Sequence, residues 1–247
     1  MFRCTTDRYE ELYAKWLGNP GLLLDLAGYD PQERLLDLCG GSGVVTQEAL
    51  RRGAVIQDIL LYDLNPRSRD PRVSFHRGDL NKDAKEHRYL DSTMFDVIVI
   101  RQAANYLKWD QELVAWLQYH LVPGGRLVFN SFIHPMSGGV KSYSTKSYTF
   151  GGQRFFEAHL FIPPFDEWFR KEPPPRPPDR GPCQGTVLHL QSKLSRRKGF
   201  DITKFNHLDP PALSDLLSPR FLVDMQKDGR SIRWVCFKHR PSFAGGH

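Results

Sequence analysis

The stretch that most constrains this chain is Leu35-Leu36-Asp37-Leu38-Cys39-Gly40-Gly41-Ser42-Gly43, an apolar run that meets three glycines and continues into the helix-like segment Val44 to Arg52. The pattern predicts a strand, a tight turn and a helix N-terminus. Glycines suit such a junction because the polar part of a ligand can reach bare backbone N–H groups only where no Cβ stands in the way. A chain with this turn near its start is expected to build an α/β sheet around it.

A second apolar run, Ile59-Leu60-Leu61-Tyr62, ends in Asp63, which lies 20 residues past Gly43. A carboxylate at the tip of the neighbouring strand can accept both hydroxyls of a ribose. Two nucleotide cofactors fit this pattern, a nicotinamide dinucleotide and S-adenosylmethionine. The dinucleotide fingerprint aligns Gly41 and Gly43 but meets Thr46 where its third glycine should stand, which argues against the dinucleotide.

The same rhythm continues along the chain. Val73 to Arg77 reads as a third strand followed by Gly78-Asp79-Leu80, and Asp79 can accept a hydrogen bond from an exocyclic amine such as that of adenine, or cap a helix. Phe95 to Ile100 is a fourth strand, apolar on both faces as buried parallel strands are, and it runs into Arg101-Gln102-Ala103-Ala104-Asn105-Tyr106. A helix from Trp109-Asp110, with Leu113, Trp116, Leu117 and Leu121 on one face, is expected to stop at Val122-Pro123-Gly124-Gly125, before a fifth strand from Arg126 to Phe132. Alternation of strand and helix predicts a doubly wound, mostly parallel sheet. Phe221 to Gln226 and Ser231 to Lys238, joined by Lys227-Asp228-Gly229-Arg230, predict an antiparallel hairpin at its edge.

Two segments lie outside that alternation. Near the N-terminus, Tyr9, Leu12, Tyr13, Trp16 and Leu17 fall at helical spacing, so a lid helix is expected from which Tyr9 and Tyr13 reach the mouth of the cofactor site. Between the fifth strand and the last helix lies an insertion, residues 133–207. It is rich in Tyr and Phe, and eight of the 18 prolines fall between Pro163 and Pro182. Thr186 to Leu194 and Ile202 to His207 read as strands of a small cap, and Pro173 to Arg180 as an extended, mobile stretch. The whole chain of 247 residues is expected to be one domain carrying this cap.

Composition excludes several classes. Cys4, Cys39, Cys183 and Cys236 form no C-x-x-C pair, so neither a zinc site nor a disulfide framework is indicated and no metal is expected. Charges crowd the N-terminus, and no run approaches the roughly 18 apolar residues of a membrane span. A soluble cytoplasmic protein with no membrane partner is the expectation. The net charge of +6, with Arg196-Arg197-Lys198 its densest cluster, permits a nucleic acid partner but is too diffuse to demand one.

In the order of these landmarks the chain resembles the class I S-adenosylmethionine-dependent methyltransferases. Asp37 to Gly43 takes the place of the glycine-rich first motif, with Cys39-Gly40 where the family more often has Gly-x. Asp63 stands at the ribose acid, Gly78-Asp79-Leu80 at the adenine acid, Phe95 to Val99 at the fourth strand, and Leu121 to Leu127 at the turn before strand five. The resemblance implies a seven-stranded sheet and S-adenosylmethionine bound, and S-adenosylhomocysteine left, at Asp37, Cys39, Gly40, Gly41, Gly43, Asp63, Leu64, Asn65, Gly78, Asp79, Leu80, Arg101, Gln102 and Ala103. It also implies that the insertion forms the acceptor pocket. Arg101-Gln102-Ala103-Ala104 departs from the Asn/Asp-Pro-Pro-aromatic motif of enzymes that methylate planar amines, so a small-molecule acceptor is expected, attacked through O, N or C. Groups suited to take its proton are His134, His159 and Tyr106. An RNA methyltransferase, a nicotinamide oxidoreductase and a silent cofactor binder are the rival classes.

Overall fold

Strands that alternate between two helix layers must be apolar on both faces, and the central strands show this residue by residue. In the computed structural model, residues 19–64, 70–91, 93–132, 142–150, 153–162, 183–193, 201–228 and 231–239 are described. In the inserted strands only the backbone is described up to residue 205. The chain runs α1 (Gly21–Ala27), β1 (Leu35–Leu38), α2 (Val44–Arg51), β2 (Ile59–Asp63), β3 (Ser74–Arg77), α3 (Leu80–Lys85), β4 (Phe95–Ile100), α4 (Gln111–Tyr119) and β5 (Leu121–Phe132). The insertion supplies β6 (Ser142–Phe150), β7 (Gln153–Ile162), β8 (Cys183–Lys193) and β9 (Asp201–Leu208); α5 (Pro210–Leu217), β10 (Phe221–Asp228) and β11 (Ser231–Lys238) complete the chain.

The main sheet has seven strands in the order β10-β11-β5-β4-β1-β2-β3. β1 pairs in parallel with β2 and β4, β2 with β3, and β4 with β5, while β11 runs antiparallel to both β5 and β10. This is the doubly wound sheet with an antiparallel hairpin that the sequence predicts. Its faces sort cleanly. Leu36, Leu38, Ile98, Ile100, Leu127, Phe129 and Trp234 pack with α4 and α5 residues on one side, whereas Leu35, Ile59, Val97, Val99, Val128 and Val235 pack with α1 and α2 residues on the other. Burial of Trp116, Trp234 and Phe129, stacked or edged with their neighbours, anchors the first layer.

Two boundaries differ from expectation. The helix α4 ends at Tyr119, and Leu121 already pairs with Phe95, so Val122 to Gly125 lies inside β5 rather than before it. The register between β4 and β5 then jumps from Phe95↔Leu121 to Val97↔Arg126, so the Pro-Gly-Gly turn is absorbed as a bulge. Gly124 takes the left-handed φ of +81°, and a Cβ on Gly125 would stand 3.0 Å from the Val122 carbonyl oxygen. The insertion is also more regular than expected. Besides the two expected strands, Ser142–Phe150 and Gln153–Ile162 join it, giving an antiparallel sheet in the order β6-β7-β8-β9. Pro173 to Arg180 and the lid helix around Tyr9 and Tyr13 lie outside the described residues. Among the described residues no helix is long and apolar enough to cross a membrane.

A buried histidine escaped the sequence reading. His120, at the end of α4, is fully buried; its Nε2 accepts from the Leu90 N–H at 3.2 Å and its Nδ1 donates to the Thr93 carbonyl at 3.1 Å. Burial holds its pKa below the ordinary value, against a smaller raising effect of the Thr93 bond. A folded-state pKa below the unfolded one (about 6.5) means that the unfolded chain takes up the proton first on acidification. The contribution of His120 to stability is therefore expected to fall as pH drops below about 6.5. In thermal melts between pH 7 and 5, His120→Gln, which keeps an acceptor without the charge, should gain in stability relative to the native chain as the pH is lowered. Equal slopes would remove His120 from the explanation.

Candidate functional site

The turn after β1 is folded by its own backbone needs. Gly43 N–H donates to the Gly40 carbonyl at 2.8 Å, and Gly40 N–H to the Tyr62 carbonyl on the neighbouring strand at 3.2 Å. Gly41 and Gly43 take left-handed φ values of +55° and +73°, and Gly43 caps α2. Cys39 does the same at +59° without being glycine, a strained conformation. Its thiol is pushed well above its ordinary pKa, first by desolvation and then by the nearby Asp63 and Asp37 carboxylates.

Gly40 is needed for space. A Cβ there would lie 2.5 Å from the Asp37 carboxylate and from a Leu61 methyl. Asp37 itself is fully buried, and its Oδ2 accepts from both the Thr46 N–H at 3.0 Å and the Thr46 hydroxyl at 2.8 Å. The residue that breaks the dinucleotide fingerprint thus has a task of its own, tying α2 to the acid of β1. The other oxygen, Oδ1, is buried with no hydrogen-bond partner among the described residues. Desolvation pushes the carboxyl up to about 6, opposed by the Thr46 hydrogen bonds and the charge of Arg101.

Asp63, at the end of β2, turns its carboxylate back onto the glycine turn, where Oδ2 accepts from Gly41 N–H at 3.0 Å. Its carbonyl accepts from Gly78 N–H at 3.1 Å, so the ends of β1, β2 and β3 are linked through one residue. Asp79 occupies the N-cap of α3, its Oδ1 accepting from Asn81 N–H at 3.2 Å. The capping role is therefore real, and any ligand contact would be made in addition to it. Leu80 opens α3 and is buried in the core. Gly78 is required for packing, since a Cβ would fall on the Tyr62 hydroxyl and the Asp83 carboxylate, which hydrogen-bond each other. Gly78→Ala is expected to lower stability by about 1 to 3 kcal/mol through overpacking, read from the urea midpoint.

After β4, Arg101 follows the strand, Gln102 is buried with a left-handed φ of +61°, and Ala103 leads into a single 3₁₀ turn from Ala104 to Tyr106. Tyr106 is 42% exposed on that turn, beside the strand ends. The structure brings Asp37, Cys39, Gly40, Gly41, Gly43, Asp63, Leu64, Gly78, Asp79, Leu80, Arg101, Gln102 and Ala103 to one edge of the sheet. Tyr9, Tyr13, Asn65 and His134 lie outside the described residues, and of His159 only the backbone, paired with His189 across β7 and β8, is described. Thr46, Asn130 and Asn206 were missed as contributors, the two asparagines because their partners are distant in sequence.

An open sheet whose glycine turn and two acids converge at the carboxyl ends of adjacent parallel strands defines the class of Rossmann-like nucleotide-cofactor proteins. The reversed β11 narrows it further. A family model described as a methyltransferase domain matches residues 10–168, and the chain belongs to that family. Among solved structures, the fold is similar to the amino pentose methyltransferase CalS10 from Micromonospora echinaspora, with SAM bound (17% identity, 96% of this chain and 99% of that one, TM-score 0.65). It is also similar to the CcbJ methyltransferase from Streptomyces caelestis (13%, 93% and 95%, 0.66) and to DesVI from Streptomyces venezuelae (18%, 93% and 96%, 0.61). Comparison with curated proteins gives no match.

Proposed function

We propose that the chain binds S-adenosylmethionine across the ends of β1, β2 and β3 and transfers its methyl group to an oxygen, nitrogen or carbon nucleophile of a small molecule. The observation that carries this reading is the Gly41–Asp63–Gly78 linkage, which ties the glycine turn to the ends of β2 and β3, two residues before Asp79. The residues fit such a ligand. Apart from its two chain neighbours, no described residue comes within 4 Å of the place a Gly41 Cβ would take, leaving room for close approach. Asp37 Oδ1, unpartnered among the described residues, makes the turn a favourable neighbour for positive charge.

Asp63 accepts the ribose hydroxyls, Asp79 the adenine amine, and Arg101 to Ala103 border the ligand at the end of β4. When bound, the cofactor supplies a methyl group already activated on a sulfonium. The protein's part is then to hold the acceptor in line within about 3 to 3.5 Å and to take its proton, for which Tyr106, His134 and His159 are the candidates. The amino pentose named for CalS10 supports a small molecule as acceptor rather than RNA.

Calorimetry with S-adenosylhomocysteine and NADH tests the cofactor: micromolar binding of the first and none of the second is expected. NADH binding alone would promote the oxidoreductase reading. Methyl label passing from S-adenosylmethionine into RNA, and not into small-molecule extracts, would overturn the acceptor class.

A further inference from the structure

Among the described residues, the end of the insertion is bonded to the loop that follows β4. Asn130, on β5 shortly before the insertion begins, accepts through Oδ1 from Gln102 N–H at 2.8 Å. Asn206, on the strand that ends the insertion, donates through Nδ2 to the Leu107 carbonyl at 2.9 Å, and its own carbonyl accepts from Asn105 Nδ2 at 2.9 Å. A third asparagine grips the same loop from the other side. Asn81 Nδ2 donates to the Tyr106 carbonyl at 3.2 Å, and Asn81 Oδ1 accepts from Lys108 N–H at 2.7 Å. Asn81 is in turn held by Asp79.

Main-chain groups that face the interior must be paired, and at Gln102 N–H and the Leu107 carbonyl the pairing is made by the side-chain amides of Asn130 and Asn206 rather than by a strand ladder, while the Asn81 bonds lie on the exposed side. Asn105 is 2% and Asn130 7% exposed, so water is a poor substitute for either amide. Gln102, whose left-handed φ a side chain rarely adopts, is held where Asn130 takes its N–H. From Asp79 the bonds run through Asn81 to residues 106 and 108, and from residues 105 and 107 to Asn206 and β9.

Resting on the proposed cofactor reading, we propose that Asn81, Asn130 and Asn206 are positioning residues that make the 101–108 loop a floor shared by cofactor and insertion. The seating of β9 thereby sets cofactor affinity, and bound cofactor in turn holds β9. This reciprocity is a thermodynamic requirement: if seating β9 strengthens binding, binding must strengthen the seating by the same factor.

Amide hydrogen exchange on the full chain, with and without S-adenosylhomocysteine, tests the coupling. The ligand is expected to slow exchange in peptides covering 201–208 as well as 101–108. Asn206→Leu should abolish the protection of 201–208, speed exchange of 101–108 in the unliganded protein, and weaken binding about tenfold. Leu217→Ala, which lowers stability through α5, should leave affinity alone. Ligand bound by the native chain with exchange of 201–208 unchanged overturns the proposal, and so does Asn206→Leu with native affinity. If Asn206→Leu fails to fold, the comparison on the native chain decides. If the native chain does not bind the ligand, the cofactor reading falls; the clamp itself then stands or falls on whether exchange of 101–108 responds to Asn206→Leu.

Discussion

Asp63→Ala is expected to weaken binding of S-adenosylhomocysteine by about 2 to 4 kcal/mol, on the order of 30-fold to 1,000-fold. Hydrogen bonds from two ribose hydroxyls to one carboxylate are charge-assisted, each worth roughly 1.5 to 3 kcal/mol. The geometry adds a second reason. Asp63 Oδ2 already accepts from Gly41 N–H, so the substitution also releases the turn proposed to lie against the ligand. Loss of that bond should lower stability by about 1 kcal/mol, a smaller effect than the loss of affinity. Asp63→Asn can still accept from Gly41 and from one hydroxyl, and an intermediate affinity is expected. Titration calorimetry and a ligand-free melt on both variants separate the roles. A native dissociation constant with a lowered melting temperature would reduce Asp63 to a brace for the turn.

What was legible in the sequence is what depends on neighbours in the chain. The β1 turn announces itself because the left-handed backbone at Gly41 and Gly43 and the crowding of Gly40 by Asp37 are local needs for glycine, and the buried strands announce themselves because Val97 to Ile100 must be apolar on both faces. The two acids were singled out by position alone, Asp63 ending β2 and Asp79 lying two residues past β3. Long-range pairing hid the rest. Gly78 looked like part of a ligand turn, yet the space it leaves is filled by Tyr62 and Asp83. Asp79 carried two readings, and the cap is visible while the adenine contact is a proposal. Val122-Pro123-Gly124-Gly125 carried every mark of a loop, but a bulge lets it continue a strand. In the insertion, Ser142–Phe150 mixes polar and aromatic residues without clean alternation, so nothing local disclosed the ladder that pairs it with β7. The asparagines of the β4 exit loop are ordinary polar residues until the fold brings 130 and 206 beside 101–108.

Asp37 sets function against stability, and the conflict has a measurable sign. Its carboxyl is raised by burial from an ordinary value near 3.8 to about 6 in the folded protein. A raised folded-state pKa means that the folded form binds the proton more tightly, so the contribution is fully present below about 3.8 and is lost as pH rises through about 6. At neutral pH the apo protein therefore carries a buried, mostly ionised carboxylate, held by Thr46 on one oxygen and unpartnered among the described residues on the other. Asp37→Asn keeps the shape and an acceptor for Thr46 but cannot ionise. Relative to the native chain its stability should shift in its favour by up to about 3 kcal/mol between pH 4 and pH 8, the free-energy equivalent of that displacement in pKa. Its own amide nitrogen is buried in place of Oδ1, so the absolute gain at pH 8 is smaller than the shift. This trend opposes that of His120, which loses stability on acidification, and comparing each variant with the native chain isolates the two. Affinity should move the other way, because a neutral amide no longer complements the positive charge of S-adenosylmethionine. Urea unfolding of both proteins at pH 4, 6 and 8, with calorimetry at pH 8, reads both effects. A stability difference that does not change with pH would show that Asp37 is ionised at no cost in the folded protein, and would remove the charge argument for its place in the site.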